Sequence, residues 1–283
     1  MKFPLPRGEG QGEGAPLALL LLALISTPAL AQEWLGPPPK LPATRIITLA
    51  PSITETVLAL DAKSSLIGVS KFCEFPEVAA LPRAGGFNDP SVETIVGLKP
   101  QVVIVQKGPS NQKPVETLAR LGVSVLALPL TSVDDVSLAM TELGRVTGRS
   151  ERALALVNEL ATARATARAE ATKTPKRVLF VYGWAPLVVA GPGSFADQLV
   201  SDCGAKNAAE KAPSAYPTYS LETVVKLVPD VIIDAADVKD GKDAIEKLGP
   251  LKRSKWSMVP TKDLLHPGPA LAKALPSLCA LVK

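Results

Sequence analysis

The chain has 283 residues and a mass of 29.6 kDa, enough for two domains at about 150 residues each. Apolar residues make up 47% and charged residues 20%, with no long charge block, so the chain is globular and not disordered. A net charge of +4 without a basic stripe argues against nucleic-acid binding, and one histidine, His266, with three cysteines, Cys73, Cys203 and Cys279, excludes a multi-histidine metal site or a four-cysteine cluster.

Lys2 and Arg7 precede an apolar run, Ala15 to Ile25, and then Ser26, Thr27, Pro28 and the small-residue site Ala29-Leu30-Ala31. This pattern predicts a signal peptide over 1–31, cut before Gln32, and an exported mature chain in an oxidising compartment. The run is shorter than the ~20 apolar residues of a membrane span. No cysteine near the cleavage site offers a lipid attachment point. Pro4 to Gly14 is Gly- and Glu-rich, which is unusual in a leader and leaves a start downstream of Met1 open; its G-x-G pattern follows no strand and opens no helix. Residues 32–44 read as a linker.

The mature chain contains an internal repeat. Val92 to Ile104 (VETIVGLKPQVVI) reads onto Leu221 to Ile233 (LETVVKLVPDVII), each a short helix, a Leu-x-Pro break and a wholly apolar strand. A strand apolar on both faces belongs in a parallel sheet covered by helices. Each copy follows a similar opening strand, Arg45 to Ala50 and Arg177 to Tyr182, with later strands expected at Val123 to Leu128 and Trp256 to Pro260. Strands alternating with helices make each half an α/β lobe, over 45–131 and 175–283.

Residues 132–174 connect them. Ser132 to Thr147 reads as one helix; after Gly148, Ser150 is expected to cap a second that runs to Thr172 and stops before Pro175. Rich in Ala, Leu, Glu and Arg, that helix would span about 33 Å. The expected fold is therefore two Rossmann-like α/β lobes joined by a long rigid α-helix, with a ligand cleft between them where the strand ends face.

Aromatics are scarce, and six of the eleven after residue 31 fall in expected loops: Phe72, Phe75, Phe87, Trp184, Tyr216 and Tyr219. Such rings suit a large flat ligand, while Phe75, beside Pro76, reads as an anchor. Enzyme signatures are absent: no phosphate loop, no G-x-S-x-G elbow, no H-E-x-x-H. Asp263 and His266 are badly spaced for a hydrolytic triad, because Pro267 breaks any helix. A non-enzymatic role is expected; an exported α/β enzyme using cleft carboxylates is the alternative from another class.

Arg45 to Thr56 (RIITLAPSITET), Ile67 to Pro76 (IGVSKFCEFP), Gly85-Gly86-Phe87 and Glu93 to Pro100 (ETIVGLKP) together resemble the helical-backbone metal-chelate receptors of bacterial ABC importers, the class III substrate-binding proteins, and within them the cobalamin branch. The resemblance runs from Arg45 to the C-terminus. It implies a periplasmic, monomeric receptor that captures a corrinoid and hands it to a membrane permease, with no catalytic cofactor. Haem or a ferric siderophore is the alternative ligand.

Carried over residue by residue, the ligand contacts fall on Phe72, Phe87, Tyr216 and Asp263, with Trp184 beside them. Gln106 and Val188 stand where relatives carry aromatics. His266-Pro267-Gly268-Pro269-Ala270 replaces an Arg-Pro-Gly-Pro-Arg segment, so His266 takes over a donor's place or reaches the ligand's metal. The resemblance makes Glu93 and Glu222, equivalent in the repeat, the carboxylates that dock on permease arginines; each also suits a first helical turn after Ser91 or Ser220. It further implies a Cys203–Cys279 disulfide closing a loop of about 76 residues, with Cys73 left as a thiol.

Overall fold

The computed structural model describes residues 32–236, 251 and 253–283. The leader expected over 1–31 lies outside the described residues.

Alternation at period two sorts the strand side chains into layers. In the first lobe, β2 (Ile46–Thr48), β3 (Leu66–Val69), β4 (Val102–Gln106) and β5 (Val125–Leu128) pair in parallel in the order β5-β4-β2-β3. Val102 and Ile104 enter one core layer, Val103 and Val105 the layer on the opposite face. Both faces are thus dry, which is why these strands carry no polar alternation. The second lobe repeats the plan with β6 (Arg177–Trp184), β9 (Val231–Asp234) and β10 (Lys255–Met258) in parallel, β7 (Leu187–Val189) antiparallel along β6, and β8 (Lys206–Asn207) beside its start. Val178 and Phe180 face one layer, Leu179 and Val181 the other.

The sequence repeat becomes a structural one. Helix α2 (Val92–Gly97) precedes β4, and α7 (Leu221–Leu227) precedes β9. Ser91 and Ser220 cap them, each accepting a backbone N–H three residues on. Both helices end at an equivalent left-handed residue, Lys99 (φ 49°) and Val228 (φ 47°), ahead of a proline. Arg45 and Arg177, which open the first strand of each lobe, donate to the last carbonyls of these helices: Arg45 to Leu98 and Lys99, Arg177 to Leu227. Cations belong at that end of a helix.

One core layer runs through the molecule. It takes residues from α1 (Pro51–Ala59), α4 (Val133–Thr147), α5 (Ser150–Ala169), α6 (Phe195–Asp202) and α8 (Leu271–Val282), joining the inner faces of both sheets. Ser132 and Asp135 form a reciprocal capping box at the start of α4. Gly148, at φ 70°, ends that helix, and a Cβ on Gly144 would lie 2.4 Å from Ala153 Cβ, so α4 and α5 meet at close range. Helix α5 buries one stripe, Ala153, Leu156, Leu160 and Ala167. Two of its arginines fasten it to the second lobe: Arg164 Nε and Arg168 Nε stand 2.5 and 2.6 Å from the two carboxylate oxygens of Asp202 on α6.

Three expectations are corrected. Residues 33–35, expected within a linker, form strand β1, antiparallel to β5 and tied by a Glu33–Lys107 ion pair. Ser150 does not cap α5: Arg149 occupies that position without a side-chain bond, because the left-handed turn at Gly148 brings Ser150 into the first helical turn. The helix ends at Ala169, three residues earlier than expected. The disulfide is present between Cys203, at the end of α6, and Cys279 on α8, with Cα atoms 4.9 Å apart. Cys73 is a buried free thiol 3.0 Å from Thr54 Oγ1, and burial pushes its pKa up.

Candidate functional site

The C-terminal ends of the parallel strands carry loops from both lobes. Beside them lies a cavity of about 360 Å³ lined by Pro51, Glu55, Phe72, Glu74, Lys262, Asp263 and His266, among others. First-lobe residues thus face the loop between β10 and α8. A larger cavity, about 980 Å³, opens at the other ends of β9 and β10, beside Asp230 and Lys255, and holds none of the expected residues.

Phe72, 53% exposed, follows β3 and forms the aromatic wall. A Cβ on Gly86 would lie 2.6 Å from the Phe72 ring, so the bare Gly85-Gly86 turn is what allows the ring its place. Lys71 Nζ sits 5.1 Å from the ring centroid and pairs with Asp89. Phe87 is half-buried and packs onto the main core, so it supports this turn as well. Gln106 ends β4, where its carbonyl accepts from Asn111 Nδ2 at 2.7 Å. Tyr216, 40% exposed, donates to the Thr131 carbonyl at 3.3 Å and meets Tyr182 edge-on, with centroids 5.5 Å apart.

Of the expected contacts, Phe72, Asp263 and His266 line the cavity, whereas Phe87, Gln106, Tyr216, Trp184 and Val188 do not. Strand β6 runs on through Trp184 with an irregularity after Val181, and Trp184 packs with the outer core layer. Its Nε1 donates to Asp234 at 3.1 Å and its ring stacks on Trp256 at 5.6 Å. Val188 lies within β7, bridged to Thr218.

The structure adds carboxylates. Glu55 is the single charged residue of α1, yet its Oε1 accepts the backbone N–H of Ala270 at 2.9 Å, across 215 positions of sequence. Its Oε2 would lie 2.7 Å from a Cβ on Gly268, so that glycine permits the approach. Burial pushes the Glu55 pKa up to about 7; the Ala270 N–H opposes this and the Asp263 charge adds to it. A lone acid in an otherwise uncharged, largely buried helix is the available sequence signal. Burial lowers the His266 pKa, against a hydrogen bond with the Lys262 backbone and the charges of Asp263 and Glu74, so its imidazole is neutral at pH 7. Among the described residues lining the cavity, Glu55, Glu74 and Asp263 therefore face one lysine, Lys262. Among the described residues no three His, Cys, Asp or Glu are grouped to hold a bare metal ion.

Two α/β lobes with a helical connection and a cavity between them have the architecture of a solute receptor. The chain belongs to the periplasmic binding protein family, matching it over residues 46–250. The family supplies the substrate-binding components of ABC transporters and is not enzymatic. The chain is 29% identical over 233 residues to a vitamin B12-binding protein of Yersinia pestis, covering 82% of this chain and 76% of that one. Its fold matches the periplasmic vitamin B12-binding protein of Vibrio cholerae (TM-score 0.69, 21% identity, 85% and 97% of the two chains covered). It matches equally the haem-binding protein of the same organism (TM-score 0.72, 20% identity, 84% and 98% covered).

Proposed function

We propose that the chain is the periplasmic receptor of an ABC importer for cobalamin or a related corrinoid, exported by the leader at 1–31 and acting as a monomer. The observation that carries this reading is the acidity of the interlobe cavity, where Glu74, Asp263 and a Glu55 about half-ionised near pH 7 stand against one lysine. Haem presents two propionates, and ferric siderophores are commonly anionic; both would meet like charge there. The periphery of a corrin is dominated by uncharged amides, whose N–H groups donate to carboxylates. Phe72 and Tyr216 offer exposed ring surface for the macrocycle, Asp263 and His266 line its polar side, and Phe87 and Gln106 are proposed to border it from the first lobe. Trp184 is left out of the contact set because its indole is engaged within the second lobe, while Val188, half-buried in β7, stays in it. The curated relative named for vitamin B12 supports the choice.

Glu93 and Glu222 are exposed in the first turns of α2 and α7, one per lobe, and are proposed to pair with permease arginines. Second comes haem, favoured by one feature: a neutral imidazole at His266 suits iron as well as cobalt. Incubating the mature protein with cobinamide, cobalamin, haemin and a ferric chelate, then desalting, tests the choice. Corrinoid absorption retained at one equivalent is the expected result. Retention of haemin alone would transfer the assignment to haem.

A further inference from the structure

Glu55 joins the two sides of the cavity. It projects from α1, packed in the first lobe, and accepts from the Ala270 amide at the start of α8, packed in the second. Glu74 reaches the same cavity from the loop after β3; Lys262, Asp263 and His266 reach it from the segment before α8. A carboxyl placed there responds to whatever enters. We propose that Glu55 is a selectivity-determining residue of the receptor, an interlobe clasp whose carboxylate accepts amide or cationic donors from the ligand and rejects ligands that bring a carboxylate to it. The inference rests on the reading of the cavity as the ligand site and adds a direction to it.

Opposite pH dependences follow for the two ligand chemistries. A donor bound to Glu55 favours the ionised form and lowers its pKa, so corrinoid affinity rises as pH climbs through about 7. A propionate in the same place favours the protonated form, so haem affinity falls over that interval. Asp263, nearest in charge, tunes the midpoint: without it, Glu55 ionises at lower pH.

The test uses the full mature protein and two variants, Glu55→Gln and Asp263→Asn. In the unliganded wild type, the Ala270 amide proton resonance is expected to titrate with a midpoint near 7. The titration should vanish in Glu55→Gln and move to lower pH in Asp263→Asn. Equilibrium dialysis with cobinamide should show about a fivefold gain in affinity between roughly pH 6 and pH 8, for one unit of pKa difference between free and bound protein. Haemin should show a loss, and Glu55→Gln should flatten both profiles. An Ala270 resonance that ignores pH, or pH profiles identical in wild type and Glu55→Gln, would overturn the inference. A wild type that binds haemin with the predicted falling profile, flattened in Glu55→Gln, but binds no corrinoid would overturn the corrinoid reading and leave the role of Glu55 standing.

Discussion

Among the described residues Tyr182 has a buried hydroxyl with no hydrogen-bond partner, in a ring cluster with Phe180, Phe195 and Tyr216. Burial, with Tyr216 and Asp197 nearby, holds its pKa well above the usual tyrosine value. An unpaired buried donor is destabilising, so Tyr182→Phe is expected to raise stability by about 1 kcal/mol in urea unfolding, an increase opposite in sign to most core truncations. Glu55 carries a different prediction. Its pKa is raised from an ordinary 4.5 to about 7 on folding, so the folded protein binds more protons than the unfolded one within that interval. Its contribution is fully present below about 4.5 and is lost as pH rises through about 7. The difference in stability between wild type and Glu55→Gln should therefore shift by on the order of 2 kcal/mol across that window, measured by unfolding at a series of pH values. A constant difference would mean that the carboxyl titrates normally.

At the scale of elements, the fastening of α5 matters most. Asp202 is 3% exposed and its carboxylate is shared by Arg164 and Arg168. Arg164 also reaches Asp134 on α4 at 3.1 Å, so one side chain links three helices. Asp202→Asn would leave both guanidinium groups short of charge, and a loss of about 3 kcal/mol is expected in thermal or urea unfolding, since breaking a buried pair leaves an uncompensated charge. The end of α7 predicts a gain. Val228 is exposed, β-branched and left-handed, a conformation that costs an L-residue about 1–2 kcal/mol and that asparagine tolerates better. Val228→Asn should stabilise by roughly 0.5–1 kcal/mol. Lys99, the equivalent residue of the first lobe, has the same backbone sign, so the twin substitution there offers an internal check.

Across the whole molecule, Glu93 and Glu222, the two carboxylates proposed to dock, sit on equivalent helices of opposite lobes, away from the cavity lining. Glu93→Arg or Glu222→Arg is expected to leave the ligand dissociation constant unchanged and to weaken transport in vesicles carrying the permease. Loss of ligand binding in either variant would remove the docking role. The same scale separates what is local from what is not. The wholly apolar strands, the repeat, the serine caps of α2 and α7 and the breaks before proline depend on neighbours within a few residues, and all are legible in the bare chain. The exact start of α5 was not, because Gly148 decides it through a turn whose neighbours belong to another helix. Trp184 was misplaced for a similar reason: its loop reading missed two further residues of β6 and the partners, Asp234 and Trp256, that come from the far end of the lobe. Phe72, Asp263 and His266 were named from resemblance, and folding brought them to one cavity. Glu74 and Lys262 stood unmarked in loops. Glu55 lay inside a motif quoted for its pattern, and nothing within a turn of it hinted at Ala270. Periodicity and capping are properties of short segments, so they set the lobes, the layers and the helical connection. The pairing of an α1 carboxylate with an amide 215 positions away arises only when two separately built lobes close on a shared core, and that closure creates both the cavity and its charge.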